Sequence, residues 1–118
     1  MTLENLRTYC LNKKGVTEDF PFDEDTLVFK VMGKMFVLAS LERIPLSVNL
    51  KCDPERAIEL RESYEAVQPG YHMHKKHWNT VVFDGTIPDS ELREMVDHSY
   101  DLVVAGLKKA DRETLGRL

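Results

Sequence analysis

The segment from Gly70 to Thr80 carries the residues whose types and spacing could do chemistry. It holds three of the four histidines of the chain, two adjacent lysines and two aromatic rings. In an extended segment His72 and His74 would share a face, and imidazole suits zinc, copper or nickel. No cysteine lies nearby, and the spacing matches no closed zinc motif. We therefore predict neither a metal site nor a cofactor.

The same segment could contact phosphates or could serve only the fold. Lys75 and Lys76 could reach the phosphates of a nucleic acid while Tyr71 or Trp78 stacks or packs beside them. In the structural interpretation, Trp78 is a large core aromatic and the lysines are ordinary solubilising charge. The residues alone leave both interpretations open.

Near the carboxyl end, His98, Ser99 and Asp101 supply the residue types of a hydrolytic triad. On a helix, Ser99 would lie at the centre of the apolar stripe and Asp101 nearly opposite, so they could not share one proton relay. The chain also lacks the GxSxG elbow, the P-loop pattern and the GxGxxG motif. We predict a protein without enzymatic activity.

An acidic run from Glu18 to Asp25 surrounds Phe20-Pro21-Phe22. Clustered carboxylates can bind hard cations, but the twelve-residue calcium loop with its central glycine is missing. We predict a solvated loop between strands, whose charge would repel DNA.

Strands between Val16 and Lys51 are the first elements that must position these residues. Apolar side chains alternate there, with a hairpin turn predicted at Met32-Gly33. The alternating sets are Leu27, Phe29 and Val31, then Met35, Val37 and Ala39, then Leu46, Val48 and Leu50. Ser47, Asn49 and Lys51 take the opposite face, which is typical of an antiparallel sheet with one dry and one wet side. Trp78 to Phe83 predicts a further strand.

Three helices complete the predicted order. Thr2 is a plausible cap for the first, which Gly15 ends, and Asp53-Pro54 starts the second. The longest runs from about Pro88 to Lys109, with Ser99 and Gly106 near the centre of its apolar stripe. We expect its backbone to approach a neighbour closely at these small residues. The order predicts an α+β two-layer domain spanning residues 1–118.

Composition limits the class of protein. The chain has 118 residues, 42% of them hydrophobic and 31% charged, which excludes a disordered chain. The net charge of -4 argues against a generic polyanion binder but leaves room for a local basic patch. No apolar run approaches the roughly 20 residues of a membrane span, and the first residues do not resemble a signal peptide. Cys10 and Cys52 have no CxxC partner, so we expect reduced packing thiols in a cytoplasmic protein.

Several motifs, in order along the chain, resemble the MmcQ/YjbR family. They are Thr17–Phe22, Val28–Val31 with Gly33–Phe36, Leu50–Pro54, Pro69–Met73 with Lys75–Val81, and His98–Val103. The resemblance implies a CyaY-like (frataxin-like) fold, in which helices pack on one face of an antiparallel sheet of four or five strands. It also implies a DNA-binding protein of double-wing type. His74 stands where the family motif has asparagine.

Two site hypotheses follow, both for a monomer without a membrane partner. In the first, double-stranded DNA contacts one side of the sheet through a set of mostly basic residues. This set is Lys30, Lys34, Asn49, Lys51, Lys75, Lys76 and His77. In the second, Tyr71, His72 and Trp78 line a pocket for a protein or a small ligand. The likeness to frataxin also suggests iron binding as a hypothesis, which the first helix does not favour because it is not strongly acidic.

Overall fold

The computed structural model describes residues 1–70 and 73–118 as an α+β fold built on one antiparallel sheet. The helices are α1 (Leu3–Leu11), α2 (Pro54–Ser63), α3 (Asp89–Ala105) and α4 (Lys109–Gly116). The strands are β1 (Val16–Asp19), β2 (Thr26–Val31), β3 (Lys34–Ser40), β4 (Leu46–Lys51), β5 (Val67–Pro69) and β6 (Trp78–Phe83). They lie in the order β1-β2-β3-β4-β6-β5, with the helices on one face. The predicted fold class is confirmed.

Within residues 1–70 and 73–118 the sheet has six strands, one more than the four or five that the resemblance implied. The edge strand β5 has only three residues and pairs with β6. It ends in Pro69, which an edge strand tolerates because one side of it forms no ladder. Three residues show no alternation, so the sequence pattern gave no sign of β5.

The longest helix is shorter than predicted. It ends at Ala105 with Gly106 as its cap, and a separate helix, α4, starts at Lys109. The expected close approach at Gly106 is wrong, because this residue is exposed and an added Cβ would meet only carbonyl oxygens of α3, at 3.6 and 3.7 Å. The expectation for Ser99 is confirmed, since its side chain is fully buried.

The main core lies between the sheet and the helices. The predicted alternations place one side of β2, β3 and β4 in it, together with side chains of α1 and α3. Its members include Leu27, Phe29, Val31, Val37, Ala39, Val48, Leu50, Leu6, Met95 and Val96. Ser47, Asn49 and Lys51 therefore face away from the helices, on what we call the open face of the sheet.

A β-bulge corrects the predicted alternation in β3. Phe29 lies opposite Val37 and Lys30 opposite Met35, so Phe36 is the extra residue. An extra residue puts two successive side chains on one face. Phe36 and Val37 are both buried on the helix side, and Met35 joins the open face instead of the main core.

The predicted turn and caps are present. Met32 and Gly33 have φ angles of 50° and 81°, as a two-residue hairpin turn of the primed type requires. Thr2 caps α1 in a capping box with Asn5, and the Asp53 carboxylate caps α2. Gly15 has a φ of 72°, but it stands at the entry to β1, after α1 has already ended at Leu11.

Both cysteines are buried and free. Burial raises the pKa of the Cys10 thiol to about 12 and that of Cys52 to about 11. They are therefore protonated packing residues at neutral pH. No helix of residues 1–70 and 73–118 has the length and apolarity to cross a membrane.

Candidate functional site

Lysines from three segments meet at one end of the sheet. Neighbouring strands are antiparallel, so the β2–β3 turn, the end of β4 and the loop before β6 lie at the same end. Lys34 begins β3, Lys51 ends β4, and Lys75 and Lys76 precede β6. Their side chains are exposed, apart from that of Lys51, which is half-buried. We call these four residues the basic end.

Three lysines that were not predicted as site residues also lie there. Lys14 precedes β1, and its carbonyl accepts a hydrogen bond from the Tyr100 hydroxyl. Lys108 and Lys109 follow α3 on the helix side, where α4, which begins at Lys109, places Leu115 against Gly15 at the entry to β1. No local sequence motif identifies these three lysines as site residues, because only the fold brings the segments that carry them to the same end of the sheet.

The opposite end of the sheet is acidic. The exposed β1–β2 loop carries Asp23, Glu24 and Asp25, as predicted, and the adjoining β3–β4 loop adds Glu42. Backbone N–H groups of Asp25 and Thr26 lower the pKa of Asp23, whereas the Asp25 carboxyl raises the pKa of Glu42. The net charge of -4 is therefore unevenly distributed.

The loop before β6 is held by its backbone while its charged side chains stay exposed. Arg61 of α2 donates to the Asn79 side-chain carbonyl at 2.7 Å and to the Lys75 carbonyl. The Cys52 N–H donates to the His77 carbonyl at 2.8 Å. Arg61 therefore positions the basic end, a role that nothing in its sequence context indicates.

Trp78 anchors the same loop from the open face. It is 9% exposed and forms a second apolar cluster with Val28 and Leu38, against which Met35 and Met73 pack. This burial favours the structural interpretation of Trp78 over the pocket hypothesis. Tyr71 and His72, the other predicted pocket residues, lie outside the described residues.

The exposed histidines of this loop lie side by side. The rings of His74 and His77 are 4.9 Å apart between centroids. Within residues 1–70 and 73–118, no group of three histidine, cysteine, aspartate or glutamate side chains is placed to hold a metal ion.

The remaining predicted contacts, Lys30 and Asn49, lie on the open face. Lys30 Nζ is 3.4 Å from an Asp19 carboxylate oxygen, so its charge is partly offset. The Thr80 hydroxyl donates to Asn49 Oδ1 at 2.5 Å. The structure thus brings Lys34, Lys51, Lys75, Lys76 and His77 to one end and leaves Lys30 and Asn49 beside it.

Between the middle of β4 and the acidic end of the sheet, the open face carries a groove of about 340 Å³. Its floor comes from β3, β4, β5 and β6, and the β3–β4 loop forms its wall. The floor residues are Ser40, Ser47, Asn49, Gln68, Thr80 and Val82, and the wall residues are Arg43, Ile44 and Pro45. We call it the open-face groove. The sequence pattern indicated only its polar β4 positions, because the other residues come from separate segments.

His98 and Ser99 make contacts with different backbone groups. His98 Nε2 accepts a hydrogen bond from the Asp53 N–H at 3.1 Å, at the start of α2. Ser99 Oγ donates to the Phe36 carbonyl at 2.5 Å and accepts from the Lys51 N–H at 2.9 Å. As predicted for α3, the two side chains do not form one relay with Asp101.

The His98 contact predicts a pH dependence of stability. Burial, together with the nearby Arg56 cation, lowers the pKa of His98 below its ordinary value. The unfolded chain, with a histidine pKa of about 6.5, therefore takes up the proton first. We expect the free energy of unfolding to fall as the pH drops below about 6.5 and to level off below the folded pKa.

Urea titrations at several pH values between 7.5 and 5.5 measure this slope. His98→Gln should flatten it, whereas Ser90→Ala, at an exposed position of α3, should leave it unchanged. An equal slope in the His98→Gln variant would contradict the assignment.

Comparison with known proteins identifies relatives over the whole chain. The sequence model of the YjbR family matches residues 11–102. An uncharacterised Escherichia coli O157:H7 protein, YbdF, is 41% identical over 111 residues, covering 93% of this chain and 90% of the relative. The uncharacterised YjbR protein of Escherichia coli K12 is 35% identical over 118 residues, covering 100% of both chains.

Solved structures agree with the fold. A crystal structure of a Deinococcus radiodurans protein has a TM-score of 0.91 and 45% identity, covering 98% of this chain and 88% of that one. A Pseudomonas syringae protein has a TM-score of 0.76 and 26% identity, covering 86% of this chain and 98% of the other.

Proposed function

The chain belongs to the YjbR family, and we propose that it binds DNA through the basic end. The observation that carries this proposal is the convergence of Lys34, Lys51, Lys75 and Lys76 from three segments. Lysines that neutralise phosphates release counterions, which is the main source of nonspecific affinity for DNA.

The shape of the basic end supports contact with a double helix. Lys51 ends β4, which lies between β3 and β6 in the sheet. The β2–β3 turn and the loop before β6 therefore flank it as two projections, about 10 Å apart at a strand spacing of about 4.8 Å. Two such projections can contact phosphates on both sides of a groove, as expected of a double-wing arrangement.

The charge distribution also favours one orientation of the protein towards DNA. Asp23, Glu24, Asp25 and Glu42 lie at the far end of the sheet. A polyanion is repelled there and attracted at the basic end. We therefore expect modest affinity that depends strongly on salt.

Fluorescence anisotropy of a labelled 20-base-pair duplex between 50 and 200 mM salt tests the proposal. Lys75→Ala with Lys76→Ala should weaken binding and reduce the slope of log K against log salt by about 2, about 1 for each lost phosphate contact. Arg93→Ala, at an exposed position on α3, is the control and should change little. No binding at 50 mM salt, or no effect of the double variant, would refute the proposal.

A further inference from the structure

Three large apolar side chains are exposed at the acidic end of the sheet, which consists of the β1–β2, β3–β4 and β6–α3 loops. Phe20 is 47% exposed, Phe22 64% and Ile44 96%. In the part of the chain that the structure describes, the other exposed large apolar side chains are Ile58 on α2 and the terminal Leu118. Apolar groups that gather on one surface within a polar rim are typical of a protein–protein interface.

The loops that carry these side chains are ordered by hydrogen bonds. The Asp23 carboxylate accepts from the N–H groups of Asp25 and Thr26, at 2.9 and 2.7 Å. The Leu41 N–H donates to the Asp25 carbonyl at 2.8 Å and thereby joins the β1–β2 loop to the β3–β4 loop. Loops held in this way have little conformational freedom left to lose, so the surface is prepared for a partner.

Two neighbouring hollows shape this surface. The open-face groove, with the apolar pair Ile44-Pro45 in its wall, is the first. The second has a volume of about 300 Å³ and lies between the β1–β2 and β3–β4 loops. We call it the acidic hollow, because three carboxylates line it, those of Asp23, Asp25 and Glu42. Ser40 and Arg43 line both hollows, so a segment that crosses from one to the other meets apolar and acidic groups in turn.

Charge indicates the kind of partner. The three loops of the acidic end carry five carboxylates and one cation, Arg43. The carboxylates are those of Asp23, Glu24, Asp25, Glu42 and Asp84. A hydrogen bond to Asp25 and the like charge of that group raise the pKa of Glu42, and a cation beside the two carboxyls would relieve their repulsion. A partner that also covers the apolar groups must therefore combine lysine or arginine with apolar side chains.

We propose that the acidic end and the open-face groove dock a basic, apolar segment of another protein. Phe22 and Ile44 are its apolar anchors, and the acidic hollow takes a cationic side chain. A second copy of this chain fits less well, because Leu118, beside Gly15, is the exposed large apolar side chain that the described residues place near the basic end. The inference does not depend on the proposed DNA binding, and it leaves the basic end free.

Fluorescence anisotropy with three labelled peptides tests the proposal. The peptides consist of repeated Lys-Leu-Ser, Lys-Ser-Ser or Glu-Leu-Ser units of equal length. We expect the Lys-Leu-Ser peptide to bind about tenfold more tightly than either of the others, because it alone offers both cations and apolar groups.

Two pairs of variants assign the binding to this surface. Phe22→Ser with Ile44→Ser should weaken binding of the Lys-Leu-Ser peptide about tenfold, whereas Ile58→Ser, at a half-exposed position of α2, should not. Asp25→Asn with Glu42→Gln should weaken binding and reduce its dependence on salt. Glu59→Gln with Glu62→Gln removes the same charge from exposed positions of α2 and should change little. Circular dichroism checks the fold of each variant.

The outcomes separate docking from attraction by net charge and from self-association. Equal binding of the Lys-Leu-Ser and Lys-Ser-Ser peptides, or an equal loss in Ile58→Ser, would overturn the proposal, as would failure of all three peptides to bind. Sedimentation velocity tests the second copy. Self-association lost both in Phe22→Ser with Ile44→Ser and in Lys75→Ala with Lys76→Ala would assign the surface to another copy of the chain and overturn the proposal. Peptide binding should be unchanged by Lys75→Ala with Lys76→Ala, so the docking and DNA proposals fail independently.

Discussion

Replacing Trp78 with alanine is expected to lower the free energy of unfolding by about 3–5 kcal/mol, as is typical of a large aromatic removed from a packed cluster. Trp78 is 9% exposed and packs with Val28 and Leu38 on the open face. The cavity left behind cannot collapse easily, because both partners belong to central strands. Urea denaturation followed by circular dichroism measures the loss, since the variant contains no other tryptophan.

Two further variants make this test specific. Trp78→Phe should retain most of the stability, because a ring still fills the site. Phe22→Ala, at a side chain that is 64% exposed, should stay within about 0.5 kcal/mol of the parent. A loss below about 1 kcal/mol in Trp78→Ala would show that the open-face cluster contributes little packing energy.

Trp78 also links stability to the proposed function. It directly follows Lys75, Lys76 and His77, and its backbone carbonyl accepts from the Gly70 N–H at 2.9 Å. An added Cβ at Gly70 would lie 2.8 Å from that oxygen, so the two strands meet at a point where only glycine fits. Under conditions where Trp78→Ala remains folded, we expect weaker binding of duplex DNA, because the lysine loop loses its anchor.

Local sequence rules predicted most of the secondary structure. Capping by Thr2 and Asp53 and the turn at Met32-Gly33 depend on residues next to one another, so they could be recognised directly. The alternation failed at Met35, where the extra residue Phe36 shifts the register. A bulge changes the face of a strand without changing its composition, and it therefore leaves no mark in the pattern of apolar residues.

The candidate site was predictable only as separate parts. Lys51, Lys75 and Lys76 were identified by type, but their common location depends on the order β3-β4-β6, which the sequence pattern does not contain. Arg61 is an ordinary helix residue until the fold places it beside Asn79. The open-face groove was missed for the same reason, because four strands and a loop supply its lining.

The Ser99 hydroxyl bridges β3 and β4 at the bulge, and its removal is the second change from which we expect a large loss of stability. Phe36 and Lys51 do not pair directly in the β3–β4 ladder, and the Ser99 hydroxyl instead bonds to the Phe36 carbonyl and the Lys51 N–H. Ser99→Ala should cost about 2–6 kcal/mol, because it leaves two backbone groups without this partner and each such group costs about 1–3 kcal/mol when buried. Urea denaturation measures the total, with Ser90→Ala at an exposed position of α3 as the control.

Amide hydrogen exchange distinguishes this cause from a simple loss of packing. In the parent protein the Lys51 N–H is protected by Ser99 Oγ, whereas the other amides of β4 depend on their own strand partners. Ser99→Ala should therefore accelerate exchange at Lys51 more than at Leu50. Uniform acceleration along β4 would mean that Ser99 acts through general packing, and an unchanged rate at Lys51 would show that the hydroxyl does not protect it. Because Lys51 is central to the basic end, this same hydroxyl fixes the backbone from which the proposed DNA contact extends.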